Sequence, residues 1–302
     1  MSDSTIPASA ETVLISGTLR PRVSLSRRTR RLARSKPLGV VGIFLVLLVG
    51  LLSLFANYVT DYGPTQLAGV PLQSPSSDHW FGTDDFGRDL FTRVLYGGRV
   101  SVIVGFLSVT VGLVTGTAVG LLSAYRGGWF DLIMQRIVDA LMAFPTLVLA
   151  LAVVAALGTS QRNVVIAIAV AMFPNVARVA RSVVLGIREE PYVEAARSVG
   201  ASDAAIMRRH IFPNIVAPLI VIATAFFGGA IVSEAALSFV GLGIPPPNPS
   251  WGNMMSGPAR TYITVAPWMA IFPGIALSML VFGINLFGDA LRDVLDPQMR
   301  HR

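Results

Sequence analysis

Few side chains in this sequence can do chemistry, and the missing types are as informative as those present. Lys36 is the only lysine in 302 residues, and Pro37 follows it. A phosphate-cradling loop needs Gly-Lys-Ser/Thr after four spacer residues. The chain holds no such loop, so any ATP-driven activity must draw on an ATPase in another polypeptide. The histidines, His79, His210 and His301, are far apart, whereas a zinc hydrolase needs clustered ligands such as two histidines on one helix face. The absence of cysteine excludes disulfides, thiolate metal ligands and cysteine nucleophiles. No Gly-x-Ser-x-Gly elbow occurs. His79 with Asp78, Asp84, Asp85 and Asp89 forms either an acidic ion site or a solvated, turn-rich loop. Glu234 stands inside an apolar run, where an ionised group is expensive to bury. It reads as a polar group facing a pathway or as a carboxylate that packs helices together. The expectation is a chain without catalytic residues and without a metal.

The remaining polar concentration is REEPYVEAARSVGASDAAIMRRHIFPN, residues 188–214. Pro191 suits a first helical turn, where its missing N–H is no loss. Glu189 and Glu190 stand where the positive end of the helix dipole favours acids. Residues 191–199 then make a short helix with a low-profile Ala195-Ala196 surface, ended by Gly200 in a left-handed cap. Ser202 caps a second helix, which carries Arg208 and Arg209 near its negative end and is closed by Pro213. Such a unit could rest at a lipid interface with Val193, Ile206 and Met207 dipping in. It could equally insert into a cleft of a soluble partner, since small residues permit close approach. These residues alone leave both open.

The elements that carry these groups follow from composition. The chain is 53% hydrophobic and 14% charged, with mean hydropathy +0.64. Soluble domains are about a quarter charged, so a membrane protein is indicated. Of the net charge of +7, the cluster Arg20, Arg22, Arg27, Arg28, Arg30, Arg31, Arg34 and Lys36 supplies more than the whole. A basic cluster can bind nucleic acid; lying directly before an apolar run, it reads as a cytoplasmic anchor instead. Leu38–Tyr58 is longer than a signal-peptide core and reads as a retained helix. Six spans are expected: Leu38–Asn57, Val100–Ala124, Ile137–Leu157, Val164–Val184, Ile215–Leu242 and Met269–Leu291. Gly112, Gly116 and Gly120, four apart, let another helix approach the second span. Pro145, Pro174 and Pro273 mark possible kinks, and Arg178 and Arg181 can snorkel to the surface. Asp139, Asn285 and Asp289 are expected near the cytoplasmic surface. Basic residues favour the side that receives residues 188–214, giving both termini inside. The organisation is a disordered tail (1–19), a basic segment with the first helix and an outer loop (20–99), a membrane core (100–291) containing loop 188–214, and a cytoplasmic tail (292–302).

Glu194-Ala195-Ala196, Gly200 and the Phe212-Pro213 close resemble the Glu-Ala-Ala…Gly…Ile-x-Leu-Pro signature of importer-type ABC permeases. His210 stands where the general motif has Ile, and Phe212 where it has Leu. Arg209–Asn214 resembles the Arg-His-Ile-Leu-Pro variant of the peptide-transporter branch. So do His79–Asp89, Ser233–Gly243, Pro249–Met254 and Gly288–Pro297. From about residue 22 to the end, the chain is similar to the C-type permease subunits of dipeptide and oligopeptide importers, whose close relatives import nickel or glutathione. The resemblance implies an all-α integral membrane protein of the type I permease fold, with a cytoplasmic coupling helix between helices 4 and 5. It implies that Pro191, Glu194, Ala195, Ala196, Gly200, Ala201, Ser202 and Asp203 dock on an ATPase. Glu194 would anchor the loop or pair with a basic group, and Gly200 would make the bend. Implied partners are a second, B-type permease, two ATP-binding subunits that bind ATP and magnesium, an extracytoplasmic substrate-binding protein, and the lipid of a bacterial inner membrane. An autonomous ion-coupled carrier is the competing class, for which one carboxylate is thin support. A membrane-anchored scaffold with no transport role is a third.

Overall fold

The computed structural model describes residues 36–295. The expected N-terminal tail and most of the basic segment, and the end of the C-terminal tail, lie outside the described residues. The described residues form helices and no strand, with two isolated bridges, Leu67 to Arg88 and Thr83 to Asp89, in the long loop.

Helix α1 (Pro37–Leu54) is apolar on all sides and remains largely exposed, with Leu38 at 66% and Phe44 at 62%, as suits a helix in lipid. A short α2 (Ala56–Val59) follows. Helix α3 (Leu90–Arg126) starts about ten residues before its expected position because Asp89 caps it: the carboxylate accepts from Thr92 N at 2.8 Å. That cap lets Arg93 and Arg99 be helical although they read as loop. Helix α6 (Gln161–Arg188) runs beside α3. At Gly112 an added Cβ would lie 2.9 Å from Met172, at Gly116 2.7 Å from Val176, and at Gly120 2.4 Å from the Ala177 carbonyl. Both series advance together along the chain, so the two helices are parallel, and the glycine stripe predicted to admit a helix admits α6.

The expected third span is broken. Helix α4 (Gly128–Met142) and α5 (Thr146–Leu157) meet at 93°. Pro145 has no N–H to offer the turn before it and forces its predecessor away from helical angles; its own ψ of 134° marks the extended break. Five helices are therefore long and apolar enough to cross a membrane, or six if α4 and α5 count together. Arg178 and Arg181 of α6, expected to snorkel, are paired with carboxylates of α4. Arg178 Nη2 bonds Asp139 at 2.6 Å, and Arg181 grips Asp131 with two bonds, at 2.8 and 2.6 Å. Carboxylates on α4 are within reach, and a paired guanidinium gains more than a lone one reaching for water.

After α7 (Pro191–Ser198), helix α8 (Asp203–Ile206) passes through a π-helical turn (Met207–Ile211) into α9 (Phe212–Phe239). Pro213 was expected to close the loop, yet it sits in the first turn of α9. The wider π turn, in which Phe212 N bonds Met207 O, takes up the register where proline would break an ordinary ladder. Short helices α10 (Trp251–Met254) and α11 (Pro258–Thr261) precede α12 (Trp268–Leu295). Helices α1 and α12 pack closely enough that an added Cβ at Gly42 would lie 2.7 Å from the Gly283 carbonyl.

Candidate functional site: the loop between α6 and α9

Local chemistry shapes this loop as its residue types require. Pro191 opens α7 after Glu190. Gly200 has φ +81°, a left-handed conformation that other residues adopt reluctantly, and it reverses the chain into Ala201. Ser202 Oγ accepts from Ala205 N at 3.4 Å, a long cap for α8. Beneath the loop, Val193, Ile206, Ile211 and Ile215 are fully buried against Ala124, Val176, Ala180 and Val184 of α3 and α6. Those four side chains act as pegs. Above them, α7 turns Pro191, Tyr192, Glu194, Ala195, Ser198 and Val199 outward, with Val199 84% exposed. Only Val193 of α7 is fully buried, so the helix is held along one line and presents the rest.

Two polar ties complete the attachment. Tyr125 OH, at the end of α3, donates to Asp203 Oδ1 at 2.6 Å, and Arg188 Nη1 donates to the Ala124 carbonyl at 3.0 Å. Tyr125, Arg126, Arg188, Glu189, Glu194, Arg197 and Asp203 line an open cleft of about 630 Å³. Within this chain the loop's side-chain tie to α3 is made by Asp203. Glu194 edges the cleft and forms no ion pair among the described residues, while its carbonyl accepts from Ser198 Oγ at 3.1 Å. Tyr125 and Arg188 were missed by sequence reasoning. Nothing in the sequence links a tyrosine at the end of an apolar span to an aspartate so far along the chain.

The opposite end carries the segment that read as an ion site or a solvated loop; its turns leave Asp78 exposed, whereas Asp84 and Asp89 are buried. His79 Nδ1 and Asp89 Oδ1 are 3.0 Å apart and buried. Asp84 Oδ1 accepts from the amides of Phe86 and Arg88, both at 2.9 Å, while Oδ2 meets Arg88 Nε at 2.6 Å and Arg93 Nε at 3.2 Å. Arg93 also donates to the Pro64 carbonyl at 2.7 Å, and Trp268 Nε1 to the Thr83 carbonyl at 3.2 Å. These carboxylates are engaged by protein donors, and the segment is a folded clasp over the ends of α3 and α12. Between the two ends, Glu234 is fully buried. Ser101 Oγ of α3 donates to it at 2.6 Å and Ser238 Oγ at 2.8 Å, and Ser238 Oγ accepts from Ile244 N at 3.2 Å. The carboxylate ties α3, α9 and the following loop together, with no exposed surface in this chain.

Residues 116–301 match the family described as "Binding-protein-dependent transport system inner membrane component". The chain belongs to that family. Among similar proteins, a dipeptide transport system permease protein of Alkalihalophilus pseudofirmus is 45% identical, over 92% of this chain and 91% of the relative. A putative peptide transport system permease protein of Brucella suis is 45% identical over 90% and 91%. A glutathione transport system permease protein of Pectobacterium atrosepticum is 42% identical over 90% of each. In fold, the chain is similar to an inward-facing structure of the MetNI methionine ABC transporter, with TM-score 0.55 and 20% identity, over 68% of this chain and 98% of that one. This inner membrane component is a multi-pass bacterial inner-membrane protein of the type I permease fold. Being an ABC importer permease, it works with an ATPase and a substrate-binding protein carried on other chains. The single lysine, which removes the phosphate loop from this chain, accords with that division of labour.

Proposed function

We propose that this permease is the C-type half of a peptide importer, oriented with both ends of the described chain in the cytoplasm, and that α7 to α8 is its contact with an ATPase. The observation that carries the coupling role is the one-sided attachment of α7. Val193 and the pegs of α8 and α9 root it in the α3–α6 pair, while Tyr192, Glu194, Ala195 and Val199 stand free for a groove. Movement of such a helix is passed into the membrane through packed side chains and the Tyr125–Asp203 bond. One chain supplies one such helix, so a second, B-type permease serves the second ATPase. Short peptides are the cargo carried by two of the similar permeases, and glutathione, itself a tripeptide, is the second reading because a similar permease is named for it.

The test is Gly200→Pro in the complete transporter. Proline locks φ near −65°, which is incompatible with φ +81°, while a Cβ added at Gly200 would meet no atom within 4 Å. The bend changes while the membrane core is left alone. ATP-dependent uptake of a labelled dipeptide by proteoliposomes should be lost and the ATPase should co-purify less, while the permease still inserts and folds, its thermal unfolding lowered only by the strain and the lost Gly200 N–H bond at the bend. Undiminished uptake with a retained ATPase would sink the coupling role.

A further inference from the structure

Helix α4 is half of the third expected span, yet its pairings do not keep step with α6 as those of a crossing helix would. Asp131 pairs with Arg181, and Asp139 with Arg178. The two aspartates are separated by about 12 Å along α4, whereas their partners are separated by only about 4.5 Å along α6, at 1.5 Å rise per residue. Helix α4 therefore lies steeply across α6, consistent with the 93° break before α5. Its level is that of the last turns of α3 and α6, beside the coupling loop, since Asp131 also accepts from Ser123 Oγ.

The face turned away from α6 is defined. Trp129 is 80% exposed, Leu132 49%, Ile133 50% and Ile137 49%, and their spacing makes one stripe along the helix. Arg136, also exposed, falls within the same stripe. A guanidinium there suits neither the hydrocarbon core nor a dry helix interface, but it suits the headgroup layer, where it reaches phosphate. Trp129 at one end is the residue type that favours that layer. The acids of α4 are already neutralised by Arg178 and Arg181, and Arg126 stacks on the Phe130 ring at 5.4 Å. Neither Arg126 nor Arg136 forms an ion pair among the described residues, so the free charge of this face is positive.

We propose that α4 does not cross the bilayer but lies along its surface on the coupling-loop side, with Trp129, Leu132, Ile133 and Ile137 in the acyl boundary and Arg126 and Arg136 on the phosphates of anionic lipids. Only α5 then enters the core as the third span. The proposal rests on the membrane assignment and not on the cargo or the ATPase contact, so failure of the Gly200→Pro test leaves it standing.

The absence of cysteine in this chain makes the test direct. Variants W129C, I133C and I137C, with A152C in the exposed middle of α5 as the deep reference, are labelled with an environment-sensitive fluorophore. The complete transporter, its other subunits cleared of reactive cysteines, goes into nanodiscs containing phosphatidylglycerol. Quenching by lipids carrying nitroxides at shallow and deep positions should be equally shallow at 129, 133 and 137, and deep at 152. A depth that increases steadily from 129 to 137 makes α4 a crossing helix and overturns the proposal. Absence of lipid quenching at all three means that another protein chain covers the face, and overturns it too. Arg136→Gln should lower the phosphatidylglycerol retained through purification about fivefold; unchanged retention overturns the anionic-lipid assignment.

Discussion

The clasp before α3 and the loop between α6 and α9 are both polar segments joined to apolar helices, and they are held by opposite means. In the clasp, buried charges are fixed to one another and to backbone: Asp84 by two arginines and two amides, Asp89 by His79 and Thr92. In the coupling loop the charges are outside, and four apolar pegs and one tyrosine–aspartate bond hold the unit from below. A segment cross-linked by buried ion pairs has one arrangement and loses much by leaving it. A segment pegged along one line keeps an outer face free and can move as a body with the helices beneath it. Under the proposed orientation and coupling role, the difference suits a fixed outer rim and a mobile inner contact.

The largest effect expected from breaking this contrast is at Asp84. Asp84→Ala leaves Arg88 and Arg93 with no carboxylate at Oδ2, and the Arg93 side chain is only 8% exposed. Stranding a buried charge costs about 3–5 kcal/mol, so the purified permease should unfold at clearly lower temperature and its 58–89 segment should become cleavable by protease. The matching change in the coupling loop, Glu194→Ala, removes an exposed side chain without an ion pair and should leave the melting temperature in place. Equal losses from the two variants would refute the contrast.

Two glycines offer a finer comparison. Gly87 and Gly200 have nearly the same φ, +80° and +81°. At Gly87 an added Cβ would lie 2.2 Å from the Gly69 carbonyl oxygen, whereas at Gly200 nothing lies within 4 Å. Gly200→Ala should therefore lose only the left-handed penalty of about 1–2 kcal/mol. Gly87→Ala should lose that and a further ~1–3 kcal/mol from backbone displacement. Thermal unfolding of the two variants side by side checks the order, and Gly200→Ala at least as damaging as Gly87→Ala would contradict it.

These cases show what the sequence made legible. The bend at Gly200, the cap at Ser202 and the start at Pro191 depend on near neighbours, and local chemistry decides them. The glycine stripe was readable because its period is local, although its partner α6 was not. What escaped were pairings between distant residues. Tyr125 with Asp203, Asp131 with Arg181 and Ser101 with Glu234 have no local signature, since each needs two helices already in place. The break at Pro145 was foreseen as a kink, but its size depends on the ion pairs that draw α4 across α6. Pro213 misled because its usual meaning holds only for a ladder of ordinary pitch, and the π turn before it changes the pitch.

The smallest expected effect also lies in the clasp, at the one acid there whose surroundings work against its charge. Burial, then the neighbouring Asp84 carboxylate, raise the Asp85 carboxyl above its ordinary 3.8, against the weaker pull of Arg88, 3.7 Å away. In the folded chain Asp85 therefore holds its proton to higher pH than in the unfolded chain. Its contribution to stability is present below 3.8 and is lost as pH rises from there through the raised value. This sign is opposite to that of a carboxylate stabilised by its partners. Asp85→Asn removes the titration, so the variant should gain slightly on the parent at neutral pH and equal it in acid. Melting temperatures of both proteins from below pH 3.8 to neutral pH decide the matter. If Asp85→Asn loses stability at neutral pH, the Arg88 contact outweighs burial, and Asp85 joins Asp84 as a strut of the clasp.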